Sequence, residues 1–216
     1  KAQGVLNVEL NGIQVRARYE QFAFADGSRS TSRSPEGAFV YETQEGVKFA
    51  FREKMNSKHQ MLTPEQLLTT WQRIPDDVRK KSQNIIQVVD YYNPQDAYWK
   101  KRYKNFSHSY MTGGDDIVIY RYDYEHDEDY LVRSFCHEIG HHIDLATNGV
   151  PFSEDKEWTK AMTEDKIING KDSPTEYGKN SNAEDFAESL AEFTEDEEAF
   201  EKQFPNRTKL IRKKLN

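Results

Sequence analysis

In the stretch "RSFCHEIGHHIDLA", Arg133 to Ala146, three histidines fall within six residues and a glutamate directly follows the first. The spacing His137-Glu138-x-x-His141 puts two imidazoles one helical turn apart on the same face. Two neutral imidazoles so placed can hold one zinc ion. Glu138 then sits beside the metal, where it can take a proton from water. The bland alternative is a polar helix face that happens to carry histidines. Two histidines with a glutamate in register weigh toward the metal. His142 lies about 100° around the helix from His141 and reads as a surface group or a support for the site. Cys136 reads as core filler.

A catalytic zinc takes three protein ligands and leaves one position open. Position 147 is Thr, which excludes a third histidine six residues after His141, and His59, His108 and His126 lie upstream in no ligand pattern. A carboxylate from a later helix is the better candidate. The segment "NSNAEDFAESLAEF" offers Glu184, Asp185, Glu188 and Glu192. Glu184, Glu188 and Glu192 share one helix face, with Ala187 and Ala191 beside it and Phe186, Leu190 and Phe193 for a core. The small residues allow close approach to the histidine helix. Glu184 has two possible roles: metal ligand, or the return arm of a capping box, Ser181-x-x-Glu184. Glu188 is the fallback ligand.

"HEIGHHID", followed some 35 residues on by "YGKNSNAEDFAESLAEF", resembles the anthrax lethal factor-type zinc metallopeptidases, a group that includes the clostridial Pro-Pro endopeptidases. The shared pattern is HExxH with a following "xD", then a Tyr seven residues before a Glu that opens an "E-x-F-A-E" helix. The resemblance implies a zincin-like metalloendopeptidase that cleaves peptide bonds of a protein substrate, with one Zn2+ per chain. It implies zinc ligands His137, His141 and Glu184, with Glu138 as general base and proton shuttle. Tyr177 matches the tyrosine that donates its hydroxyl to the oxyanion. Glu188 and Asp144 match acids that support the ligands from behind. The likeness runs from about Gly113 to Leu215, including "TGGDDIVIYR", and leaves the N-terminal segment unassigned. His142 departs from the small residue usual at that position. Nothing in the residues carries over a preference for proline. A secreted or extracellular monomer is the expectation from the family. The alternatives are a catalytically silent zincin-like scaffold, or a processing or attachment domain of a larger phage, secreted or cell-associated protein. An intact Glu138 speaks against the silent scaffold.

The elements that must position these residues point to an α+β fold with a mixed sheet and a helical C-terminal half. "VLNVELNGIQVRARYEQF" alternates apolar and polar residues around Asn11-Gly12, a hairpin signal. A Ser/Arg-rich loop from Ser28 to Pro35 follows, and "AFVYETQEGVKFAF" reads as a second hairpin. Residues 1–56 are thus a β-rich segment, an accessory unit or an extension of the main sheet, ahead of a metallopeptidase domain at 57–216. Thr63-Pro64-x-Gln66 is a capping box for a helix to about Arg73. "NIIQVVDYY" and "DDIVIYRYD" read as strands. The zinc helix spans about Asp127 to Thr147, with Leu131, Phe135, Ile139 and Ile143 as its apolar stripe. Ser153 is expected to cap the next helix, which stops near Asn169-Gly170. Thr194 and Glu197 offer a cap for a final helical tail.

The strand Ile117, Val118, Ile119 and Tyr120 is expected beside the substrate cleft. As an edge strand it would take an extended peptide by β-augmentation. The aromatic stretch from Tyr98 to Gly114 supplies either subsite walls or a core edge. A net charge of −7 disfavours nucleic acid as a partner, and the basic run Lys100 to Lys104 reads as a solvated face. One cysteine rules out an internal disulfide and any cysteine-rich zinc cluster. No apolar run approaches the roughly 20 residues that span a bilayer, so no membrane role is expected.

Overall fold

The computed structural model describes residues 4–25, 33–55, 62–104, 106, 109–121, 127–145 and 149–216. His59, His108, His126, Tyr122, Thr147 and residues 28–32 of the Ser/Arg-rich loop lie outside the described residues. The strands are β1 (Leu6–Leu10), β2 (Ile13–Ala25), β3 (Arg33–Thr43), β4 (Lys48–Arg52), β5 (Ile85–Val88), β6 (Met111–Thr112) and β7 (Ile117–Ile119). The helices are α1 (Pro64–Arg73), α2 (Asp76–Arg79), α3 (Asp96–Arg102), α4 (Glu128–Leu145), α5 (Lys156–Asn169), α6 (Asn182–Glu195), α7 (Glu197–Gln203) and α8 (Pro205–Leu215). Strands dominate the first half and helices the second, an α+β arrangement. The chain divides into two compact units, residues 1–73 with 83–127 and residues 74–82 with 128–216.

The first unit is a mixed sheet in the order β1-β2-β3-β4-β5-β7-β6. Asn11 and Gly12, with φ of 48° and 80°, supply the left-handed turn that a two-residue hairpin needs between β1 and β2. β4 then pairs parallel with β5, and β5 parallel with β7, which forces crossover connections. The first of these is α1. Its capping box forms as the residues predict: the Thr63 N–H donates to Gln66 Oε1, and the Gln66 N–H donates to Thr63 Oγ1. Its Trp71 packs edge-on against Phe49 of β4 with ring centroids 5.7 Å apart. A buried cluster of Phe24, Ala38, Val40, Ala50, Val89 and Val118 completes a core of this unit. The strands on either side of the boundary expected at residue 56, β4 and β5, thus pair in one sheet. The N-terminal hairpins extend that sheet, and the chain divides between strands and helices instead. α2, α3 and the short β6 were not expected; each is too short to show a period.

The second unit is helical, and α6 is its centre, with nine of its residues buried, among them Glu184, Asp185, Ala187 and Glu188. α4 buries Leu131, Phe135, Ile139 and Ile143, the expected stripe. α5 ends at Gly170 in left-handed backbone, φ 76°, the expected stop. Its cap differs from expectation. Asp155, not Ser153, accepts the Glu157 N–H, because Phe152–Glu154 forms its own 3-10 turn. Likewise Asp196, not Thr194, caps α7 by accepting the Ala199 N–H. In each case the capping atom belongs to an aspartate with extended or irregular backbone where the helix is entered.

Two packing devices hold α6. The first is a fully buried ion network. Arg207 Nε and Nη2 donate to Asp185 at 3.0 Å each, Nη1 donates to Asp165 at 3.2 Å, and Nη2 also reaches the Asp172 carbonyl at 2.8 Å. Asp165 accepts the backbone N–H groups of Asn206 and Arg207 as well, and Asp185 accepts the Trp158 indole N–H. One guanidinium thus ties α5, α6 and α8 together. Arg207→Met would leave two buried carboxylates unpaired. It is expected to cost about 3–5 kcal/mol, read as a lower urea midpoint at unchanged slope.

The second device is a close helix crossing. A Cβ added to Gly140 would lie 2.8 Å from Ala187 Cα and 3.4 Å from Ala187 Cβ. Such a backbone approach leaves no room for a side chain. In an open helix, alanine stabilises relative to glycine by about 1 kcal/mol. Here the sign is expected to reverse, with Gly140→Ala destabilising by about 1–3 kcal/mol through overpacking. A thermal melt at or above the wild-type value would show that the crossing is looser than this.

Candidate metal centre

The Gly140–Ala187 crossing determines which side chains meet. His137 and His141 lie three residues before and one after Gly140; Glu184 and Glu188 lie three before and one after Ala187. Arg133, near the start of α4, pairs with Glu195 near the end of α6, while His141 meets Glu184 at its start. The two helices therefore run antiparallel, with a row of nitrogens facing a row of carboxylates.

At the crossing, three ligand atoms converge. His137 Nε2 and His141 Nε2 are 3.1 Å apart, and Glu184 Oε2 lies 3.2 Å from the first and 3.3 Å from the second. Zinc bound at about 2.0–2.1 Å to each donor of a tetrahedron spaces those donors about 3.3–3.4 Å apart. The observed triangle fits three corners of such a tetrahedron. Glu184 Oε2 is also buried and makes no hydrogen bond, although both imidazole nitrogens are close enough. The donor set of two imidazoles and one carboxylate suits zinc.

Glu184 serves the helix cap through its backbone and not its carboxylate. Its backbone N–H donates to Ser181 Oγ at 3.2 Å, the forward half of the capping box. Its carboxylate turns to the histidines.

Glu188 is not a member of the triangle but backs it. Its Oε1 lies 2.7 Å from His137 Nδ1 and its Oε2 accepts from Arg133 Nη2 at 2.9 Å. A carboxylate on Nδ1 fixes that nitrogen as the protonated one in a neutral ring and leaves Nε2 bare for a metal. Thr175, two residues before Tyr177, also pairs with Glu188 through its hydroxyl. That hydroxyl accepts the Gly178 N–H at 3.0 Å, so both flanks of Tyr177 are tied down.

The electrostatics favour positive charge on His137 beside the two carboxylates. Burial alone would push the His137 imidazolium down, but pairing with Glu184 and Glu188, helped by the charge of Glu138, raises it to about 10. Burial opposes ionisation of Glu184 and Glu188 too, yet pairing with the histidines holds each carboxyl at about 2. Carboxylates at the wall of a low-dielectric site must be balanced by positive charge.

The remaining expected residues are placed as follows. Glu138 follows His137 on α4 and is partly exposed, and its charge acts on that imidazole. The Tyr177 ring lies beside His137, centroids 5.9 Å apart. Asp144 is buried, and its two oxygens accept the Ser153 N–H at 2.6 Å and hydroxyl at 2.8 Å. It anchors the end of α4 to the 3-10 turn, and burial pushes its carboxyl up while the Ser153 hydrogen bonds and the charge of His141 oppose that. His142 is partly exposed. Cys136 is a buried free thiol, pushed up to about 11 by desolvation, as a core filler should be.

Ile117, Val118 and Ile119 correct one expectation. They form β7, which lies between β5 and β6 and is buried. Tyr120 continues it by donating its N–H to the Tyr110 carbonyl at 2.6 Å. This strand has no free edge; the edge at that end of the sheet is β6. The aromatic stretch from Tyr98 contains α3, where Trp99 packs against Tyr98 and Tyr103.

Two residues of the centre were missed in the sequence. Arg133 sits one turn before His137 on the same face, a signal that was present. Gly140 inside the HExxH spacing gave no chemical signal, only a steric one.

No protein-family model matches the chain, and no curated protein is similar to it in sequence.

Proposed function

We propose that the protein is a zinc metalloendopeptidase, with zinc held by His137, His141 and Glu184. The observation that carries this is the nearly equilateral triangle of two Nε2 atoms and one buried carboxylate oxygen that makes no hydrogen bond, in HExxH register with Glu138. The likeness to lethal factor-type metallopeptidases supports the same assignment of roles.

Zinc, when bound, supplies Lewis acidity that polarises a peptide carbonyl and acidifies water toward a pKa of about 7. Glu138 takes the proton of the attacking water and later delivers it to the leaving amine, so that one carboxylate serves as base and then as acid. Tyr177 donates its hydroxyl to the oxyanion that develops on the attacked carbonyl. Glu188 keeps His137 in the tautomer that presents Nε2. The substrate is a protein or peptide in extended conformation. No helix among the described residues is long and apolar enough to cross a membrane, and we infer a secreted enzyme from the family likeness.

The test is metal analysis of purified protein together with cleavage of a peptide library followed by mass spectrometry. Wild type and Glu138→Gln are expected to hold one zinc per chain, and Glu184→Ala to lose it. Cleavage is expected in wild type, with kcat reduced about 10²–10⁴-fold in Glu138→Gln and about 10²–10³-fold in Tyr177→Phe. Zinc without cleavage of any peptide would favour a silent scaffold. No zinc in any variant after reconstitution would make the histidine row a surface patch and end the proposal.

A further inference from the structure

Arg133 reaches three carboxylates of α6. Its Nη2 is 2.9 Å from Glu188 Oε2, and its Nη1 is 2.7 Å from Glu192 Oε1 and 3.1 Å from Glu195 Oε2. The three contacts differ in how well water is kept away. The side chain of Glu188 is 11% exposed, against 38% for Glu192 and 65% for Glu195. Exposed ion pairs contribute little, so the contact with Glu188 dominates.

That contact holds a carboxylate whose two oxygens point to different tasks, Oε2 to the guanidinium and Oε1 to His137 Nδ1. The terminal torsion of a glutamate is broad, so one partner alone does not fix the plane of the carboxylate. His137 and the Thr175 hydroxyl also hold it, and Arg133 is its guanidinium partner, on Oε2. With Arg133 in place, Oε1 stays aimed at the imidazole, and the ring keeps Nε2 turned toward His141 and Glu184. A lysine at 133 would bring the charge as a single flexible point, without the planar fork that reaches Glu188 and Glu192 from separate nitrogens.

We propose, resting on the metallopeptidase reading above, that Arg133 is a positioning residue that sets the zinc affinity of the centre by acting through Glu188. Its partners on α6 are Glu188, Glu192 and Glu195, none of them among the three residues proposed to hold zinc.

Zinc affinity, measured by competition with a chromophoric chelator, tests this in wild type, Arg133→Met, Arg133→Lys, Glu188→Gln and the double variant Arg133→Met/Glu188→Gln. Thermal melting of each metal-free protein accompanies it. Arg133→Met is expected to weaken zinc binding about 10- to 100-fold, with Arg133→Lys between it and wild type. In the Glu188→Gln background the same change is expected to alter affinity by no more than about twofold, because the two residues act as one unit. Wild-type affinity in Arg133→Met overturns the proposal. So does a full-sized Arg133→Met effect in the Glu188→Gln background, since the arginine would then act by another route. If the Met variant does not fold, wild-type affinity in Arg133→Lys overturns it equally. A wild type that takes up no zinc overturns the metallopeptidase reading itself. A wild type that binds zinc tightly, with Arg133→Met indistinguishable from it, overturns only the role given to Arg133.

Discussion

The approach of Gly140 to Ala187 is the constraint on which the centre depends. With a Cβ-free residue at 140, α4 and α6 come close enough for short contacts between side chains that are themselves short. Glutamate and histidine have little reach. A wider crossing would leave Glu184 and the two histidines separated by water, and the carboxylates of α6 would be solvated rather than shared. Because both helices repeat at 3.6 residues per turn, one point of contact fixes the whole row. Arg133, His137 and His141 then face Glu195, Glu192, Glu188 and Glu184 in order. The candidate metal centre lies at the close crossing of an antiparallel zipper of nitrogen against carboxylate.

Such a zipper is costly unless every charge is met. Glu184 and Glu188 are buried, and burial of an unpaired carboxylate would dominate the stability of a unit this small. The fold meets the demand with fixed partners wherever it can. Glu188 has Arg133, His137 and Thr175. Asp185, next to Glu184, is locked to Arg207 and Trp158, so the first turn of α6 cannot rotate without breaking a buried ion pair. Asp144 anchors the far end of α4 to Ser153. Both helices are held near the ends that carry ligands, which is where a preorganised site needs rigidity.

What was legible in the sequence was local. The Asn11-Gly12 hairpin, the Thr63 capping box, the apolar stripe of α4 and the Gly170 stop each depend on residues a few positions apart, and each forms as expected. The HExxH spacing and the carboxylate face of α6 were legible for the same reason, since periodicity alone puts them on one side. Relations between distant segments were not. Nothing near residue 56 announces that β4 pairs with β5, and nothing in "DDIVIYRYD" tells that β6 covers its edge. Ser153 looked like a helix cap because its type allows it, but Asp144 had a stronger claim on its hydroxyl. Arg207 carried no signal at all: its partners lie 42 and 22 residues away.

The point on which local reading divided, Glu184 as cap or as ligand, shows why donor and acceptor character matters more than proximity in this site. A hydrogen bond needs a proton between its two heavy atoms, and two imidazole nitrogens within 3.3 Å of Glu184 Oε2 still give it no hydrogen bond. Distance is satisfied, but a carboxylate oxygen and an imidazole nitrogen without its proton are both acceptors. A proton placed on either histidine can serve one neighbour along one line and leaves the third atom of the triangle unserved. Zinc has no directional preference of its own from its filled d shell, and His137, His141 and Glu184 are the residues that would hold it. The arrangement is poor as a hydrogen-bond network and has the donor set of one face of a coordination sphere, and the proposed zinc reading rests on that difference.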